Sequence, residues 1–105
     1  MAAKQGEVWL ADLGLAAKTR PVVILSRDDP QAPRALVIYV PLTTQNRGSH
    51  YEVELANLRF LRETSVANVQ GIGSIPASRL QRRLGSLSTE TLDRIKQAIR
   101  LALDL

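Results

Sequence analysis

The amino-acid sequence predicts a small α+β protein, mostly β, in which a short-stranded antiparallel barrel or half-barrel carries one C-terminal helix. Three observations lead there. Apolar, β-branched runs bounded by Gly, Pro, Asp, Asn or Ser recur from Val8 to Val69. Tyr51-Glu52-Val53-Glu54-Leu55 alternates strictly, the signature of a half-exposed strand of an antiparallel sheet. Helical spacing is sustained only after Ser88. At 105 residues the chain has room for one domain, residues 1–105, with one modest core.

Taken in order, Gly6 to Leu13 forms the first strand, punctuated by Gly6 and Gly14, with Trp9 as a core aromatic. Gly14 to Thr19 is a short loop. The second strand, Pro21 to Ser26, is continuously apolar and therefore buried on both faces. Its proline belongs at the strand's first residue or at an edge, because it has no N–H to donate. Asp28-Asp29-Pro30 and Pro33 make Arg27 to Arg34 a loop. The third strand runs from Ala35 to about Leu42, with a polar loop from Thr43 to Ser49. Glu52 and Glu54 of the fourth strand face solvent. Asn57 to Glu63 is a connection whose Leu58, Phe60 and Leu61 cover an end of the core. Ser65 to Val69 is the fifth strand, and Gly71 to Pro76 a bent extension of it, with Gly71 and Gly73 marking a bulge or a close backbone approach. Ala77 to Leu84 is expected to make one or two helical turns, stopped by Gly85. Ser88 caps the last helix, Glu90 complements its dipole, and Leu92, Ile95, Ile99, Ala102 and Leu103 form one buried stripe, with Leu101 opposite.

Composition excludes several classes of function. The hydrophobic fraction of 45% and charged fraction of 23% are those of a globular protein. With no cysteine and one histidine, neither a disulfide framework nor a conventional zinc site can be built. Asp28 and Asp29 lack a third ligand at sensible spacing and read as turn chemistry, so no metal and no cofactor is expected. No apolar run is long enough for a membrane span, and the N-terminus lacks a signal-peptide core, so a cytoplasmic protein with no membrane partner is expected. The net charge of +4 suits a polyanion such as RNA or DNA, or an acidic protein segment.

Two stretches carry the candidate chemistry: Thr19-Arg20-Pro21-Val22-Val23-Ile24-Leu25-Ser26 and Tyr39-Val40-Pro41-Leu42-Thr43-Thr44-Gln45. An arginine opens the first strand and hydroxyls and an amide close the second. Side by side, Arg20 and Thr43 would share one sheet edge, where a guanidinium and a hydroxyl can hold a phosphate. The bland readings are a solvated Arg20 and hydroxyls capping a strand end. Gln45, Asn68, Gln70 and Ser74 can read bases or merely satisfy nearby backbone. His50 reads as a surface loop residue. Arg79, Arg82 and Arg83 read as a solvated helix face.

Further segments fall in a family-like order. Gly6-Glu7-Val8-Trp9-Leu10-Ala11-Asp12-Leu13 is similar to "GDIWLVDL", Arg20 to Ser26 to "RPVLVLQ", Val40-Pro41-Leu42-Thr43-Thr44 to "APLTS", and Val53-Glu54-Leu55 to "VEL". Ser74 to Leu80 is similar to "TIDKSRL", and Gly85-Ser86-Leu87-Ser88 to "GxLS". In this order and register the chain resembles, over almost its whole length, the MazF/PemK toxins, the mRNA interferases of type II toxin–antitoxin pairs.

The resemblance implies an SH3-like barrel with a C-terminal helix, a homodimer, and a metal-independent endoribonuclease cutting single-stranded RNA. It also implies inhibition by a cognate antitoxin whose acidic tail fills the RNA groove. Arg20 and Thr43 stand where the family has its catalytic pair, and Lys18, Thr19, Thr44, Gln45, Asn68, Gln70 and Ser74 become candidates for RNA binding. The chain departs from the family in two places. Gly14 to Thr19 replaces a longer loop with a "GSEQ"-like segment, and Gln70-Gly71-Ile72-Gly73-Ser74 stands where relatives often read "DQIRT". Two other readings stay open on the same fold: a non-cleaving binder of RNA or antitoxin, and a protein-targeting, gyrase-poisoning toxin of the CcdB type.

Overall fold

The computed structural model describes residues 2–14, 16, 18–55 and 58–105. Seven strands precede one helix: β1 (Glu7–Asp12), β2 (Thr19–Ile24), β3 (Leu36–Thr43), β4 (Glu52–Leu55), β5 (Ser65–Asn68), β6 (Gly73–Pro76), β7 (Leu80–Ser86) and α1 (Thr89–Leu103). The strands pair antiparallel in the order β4-β5-β3-β2-β1-β7, with β6 beside the first half of β3. Strand β3 is the spine. One of its edges takes β2, while its other edge takes β6 over Leu36–Tyr39 and then β5 at Leu42–Thr43. The sheet does not close, since β4 and β7 stand at its two ends; it is the half-barrel of the sequence reading. None of the helices described is long and apolar enough to cross a membrane.

Both faces of the central strands are buried, as the continuous Val22-Val23-Ile24 run requires. Val8, Val23 and Val40 lie side by side across three strands, each without exposed surface, and meet Ile95 of α1 in one cluster. On the other face Trp9, Val22 and Ile24 cluster with Ala11, Val37 and Ile75. Each such aliphatic side chain contributes about 1.5–3 kcal/mol when fully buried. Gly6 ties the frame together. Its N–H donates to Ile24 O (2.8 Å) and its carbonyl accepts from Leu87 N (2.9 Å), at a φ of +89° that suits only glycine.

Three expectations are corrected. The Gly71–Pro76 segment is not an extension of β5. A 3-10 turn over Val69–Gly71, capped by the Asn68 side chain, ends β5, and β6 then pairs with β3. Ala77 to Leu84 does not make helical turns beyond a 3-10 turn over Ala77–Arg79; it becomes β7, paired with β1. The register jumps twice in that ladder, past Gln81 and Leu84, so the bulges scramble the twofold alternation and leave Leu80 and Leu84 at helical spacing. Leu103 is not in the helix's buried stripe. It is 50% exposed at the end of the last turn, whereas Ala98, unassigned from sequence, is buried beside Ile95. Leu101 is exposed, as expected. Leu15 and Ala17 of the first loop and Asn57 of the later connection lie outside the described residues.

Candidate functional site

The site forms where the β2–β3 ladder stops. Val22 pairs with Pro41, Val23 with Val40 and Ile24 with Tyr39. Pro21 has no N–H to offer β3, so the ladder ends there, while Pro41, opposite Val22, turns its nitrogen to the other edge of β3. Carried two residues further, the register sets Arg20 opposite Thr43 on one face of the sheet. On its other side Arg20 pairs with Ala11 of β1, while Thr43 pairs with Val66 of β5. The Thr43 hydroxyl oxygen accepts from Gln45 N (3.1 Å), which orients the hydroxyl and leaves its hydrogen to donate. Pro21 is the third residue of β2 rather than its first.

From Thr43 a cleft of about 320 Å³ opens over β5 and β4, lined by Thr43, Gln45, Arg47, Ser49, Tyr51, Glu52, Asn68 and Gln70. Sequence reasoning named Thr43, Gln45, Asn68 and Gln70, and these are together. Asn68 Oδ1 accepts from Gln70 N (3.2 Å), which fixes the side chain over the turn, with its Nδ2 beside Gly71. Arg47, Ser49, Tyr51 and Glu52 were missed. Glu52 pairs with Asn68 across β4–β5, and its carboxylate reaches back to accept from Arg47 N (3.1 Å), Ser49 N (2.9 Å) and the Ser49 hydroxyl (2.8 Å). Those bonds, the Ser49 backbone first, hold the Glu52 carboxyl below its ordinary value against a small opposing effect of burial. Tyr51 N donates to the Ser49 hydroxyl oxygen and Tyr51 O accepts from Val69 N. The only sequence signal for this was a serine three residues before a glutamate in a polar loop.

The remaining candidates fall in two places. Lys18 and Thr19 are exposed at the start of β2, beside Arg20. Lys18 closes the first loop, accepting from Leu13 N (2.8 Å) and donating to Gly14 O (3.1 Å) at a φ of 56°. Thr44 is exposed just after Thr43. Ser74 is not brought to the cleft: it pairs with Ile38, an odd number of residues from Thr43 and so on the opposite face of β3.

The arginine cluster is not a helix face. A Cβ on Gly14 would lie 3.1 Å from Arg79 Nη1, so Arg79 rests on the first loop, while Arg83 Nε pairs with Glu7 Oε2 at 2.8 Å. Burial would raise the Glu7 carboxyl, but the Lys4 N–H, the Trp9 indole N–H and Arg83 together hold it below its ordinary value. Asp29 closes a turn by accepting from Gln31 N. Among the described residues no three His, Cys, Asp or Glu side chains gather as metal ligands would.

Comparison with known proteins gives one answer. Residues 4–103 match the family model of the PemK-like, MazF-like toxin of type II toxin–antitoxin system. The probable endoribonuclease MazF5 of Mycobacterium tuberculosis is 36% identical over 103 residues, 95% of this chain and 92% of that protein. The solved structure of the Mycobacterium tuberculosis toxin MazF-mt6 superposes with a TM-score of 0.83 at 31% identity, covering 94% of this chain and 97% of that one. An endoribonuclease in complex with its cognate antitoxin, from Mycobacterial species, superposes with a TM-score of 0.85 at 29% identity, covering 99% and 97%. The strand ends that carry Arg20 and Thr43 therefore lie within a match spanning nearly the whole chain, and the chain belongs to the family of PemK-like, MazF-like toxins of type II toxin–antitoxin systems.

Proposed function

We propose that the protein is an endoribonuclease toxin that cuts single-stranded RNA by using the RNA's own 2′-hydroxyl. The observation that carries this reading is the register that runs Arg20 opposite Thr43 at the open end of a ladder. The relatives' activity as endoribonucleases supports it and weighs against a gyrase-poisoning toxin.

The 2′-oxygen attacks the adjacent phosphorus, the bond to the 5′-oxygen breaks, and the products are a 2′,3′-cyclic phosphate and a free 5′-hydroxyl. The attacking hydroxyl loses a proton and the leaving oxygen gains one. An internal nucleophile needs alignment and charge stabilisation, which side chains supply without a metal. Arg20 has a planar, permanently charged fork suited to two phosphorane oxygens, so its part is charge stabilisation rather than proton abstraction. Thr43, held through Gln45 N, donates its hydroxyl hydrogen to the phosphate or orients the 2′-hydroxyl. Lys18 and Thr19 extend the positive rim at Arg20, and Thr44, Gln45, Asn68 and Gln70 follow the strand away from the cut; Ser74, on the opposite face, reaches RNA only if a second protomer completes the groove. The working unit is one domain spanning residues 1–105, a homodimer in the cytoplasm, silenced by a cognate antitoxin with an acidic tail that competes for the same basic site.

The test is cleavage of a single-stranded RNA in excess chelator, with products resolved by end chemistry. Wild type should leave 2′,3′-cyclic phosphate ends and spare a substrate carrying 2′-deoxyribose at the cut. Arg20→Ala and Thr43→Ala should each lose at least about 100-fold in kcat, the scale of removing one preorganised transition-state donor. Cutting at the 2′-deoxy position, or full activity in Arg20→Ala, refutes the mechanism.

A further inference from the structure

The cleft beyond Thr43 has a composition that phosphate chemistry alone does not explain. The chain has four aromatic residues, and three are spent on packing. Trp9 is buried in the core, Phe60 lies against Gly85, and Tyr39 lies against Gly73. Tyr51 is 37% exposed and lines the cleft. Around it stand Gln45, Gln70 and Asn68, side chains whose amides match base edges. Glu52 lies in the same wall and repels a phosphate seated deep in the cleft, so a neutral base is the better occupant. Arg47 also lines it, close enough for its charge to act on the Glu52 carboxylate. At about 320 Å³ the space sits at the small end of ligand pockets, the size of one nucleotide.

We propose that this cleft is a specificity pocket for a single unstacked nucleotide next to the scissile phosphate, with Tyr51 as its stacking platform and Arg47 as the cation for that nucleotide's outer phosphate. The inference rests on the RNA-cleaving reading for its position relative to the cut. The loop that carries these groups is rigid before substrate arrives. Glu52 staples Arg47 and Ser49, Asn46 Oδ1 accepts from Gly48 N (2.8 Å), and Val69 N bonds Tyr51 O (3.0 Å). A platform fixed in this way stacks a base without the cost of ordering a loop on binding.

Two measurements separate this pocket from the reaction itself. In the first, oligoribonucleotides varied at each position around the cut are cleaved by wild type, Tyr51→Phe, Tyr51→Ala and Arg47→Gln. Tyr51→Ala should raise KM about ten-fold and erase base preference at one flanking position, while Tyr51→Phe keeps both. Arg47→Gln should keep the preference and reduce the salt dependence of binding by about 0.7 in log–log slope, one phosphate contact. The backbone bonds of Tyr51 do not involve its side chain, so the variants should melt with wild type. In the second, an uncleavable oligonucleotide with 2-aminopurine at the flanking position is titrated with wild type and Tyr51→Ala. Quenching in wild type that is lost in Tyr51→Ala upholds the pocket even if no RNA is ever cut, an outcome that sinks only the enzymatic reading. Wild-type cutting with unchanged KM and preference in Tyr51→Ala, or equal quenching by both proteins, overturns the pocket and leaves the enzyme standing.

Discussion

Glu52 is the residue that organises the wall of the cleft beyond Thr43. Its carboxylate receives two backbone N–H groups and a hydroxyl, all of which favour the ionised form, and its folded pKa is lowered accordingly. For a carboxylate lowered by folding, the stabilisation is fully present above the unfolded pKa and disappears as pH falls through the folded one. The loop from Arg47 to Ser49 should therefore stay closed at neutral pH and release only below the ordinary carboxylate range. Amide chemical shifts of Arg47 and Ser49 followed against pH would read this directly. A midpoint at or above the ordinary Glu value would contradict it, as would unaltered shifts in Glu52→Gln at neutral pH. Apart from the serine three residues before it, nothing in the sequence around Glu52 announced the role, because the strict alternation of the fourth strand marks it only as solvent-facing. What makes it a staple is its pairing with Asn68, sixteen positions away, which fixes where the carboxylate can reach.

At the scale of elements, legibility followed locality. The Ser88 cap is a contact three residues long, Thr91 N to the serine hydroxyl oxygen at 3.1 Å, and a capping residue before a periodic run is readable as such. The buried Val22-Val23-Ile24 strand and the exposed Glu54 were readable for the same reason. β7 was not, because its conformation is imposed by β1 across two bulges, and bulges erase the twofold pattern that would have identified it. Gly85 in that strand, expected to end helical turns, has a different task. A Cβ there would lie 2.4 Å from the Phe60 ring, so the glycine exists to let the 58–61 connection lie flat on the sheet edge. Gly85→Ala should cost about 1–3 kcal/mol through overpacking. For a chain of this length that lowers Tm by about 4–8 °C per kcal/mol. Thermal unfolding by circular dichroism tests it, and an unchanged melting temperature would mean that Phe60 moves aside freely.

The molecule as a whole is a curled sheet whose open side is covered by a single helix. Ile95 has no exposed surface and meets valines from β1, β2 and β3, so it joins the most distant parts of the chain to its centre. Ile95→Ala should cost about 2–5 kcal/mol of stability, a large fraction of what a domain this size has. Urea unfolding would show the midpoint falling with the slope unchanged; a loss well under that range would mean the helix contributes little to the frame. The placement of Arg20 and Thr43 at neighbouring strand ends was legible because the strand ends that carry them are local motifs, while the cleft was not, because it is assembled from β3, β4, β5 and the turn between them. Pro21, which ends the β2–β3 ladder, gives this frame a mechanical character. Val22, Val23 and Val40, none with exposed surface, form a stiff beam up to the last hydrogen-bonded pair, and the site is a notch cut at its tip. A ligand wedged into such a notch would press on strand ends that the β2–β3 ladder no longer ties, with Pro21 standing between them and the beam.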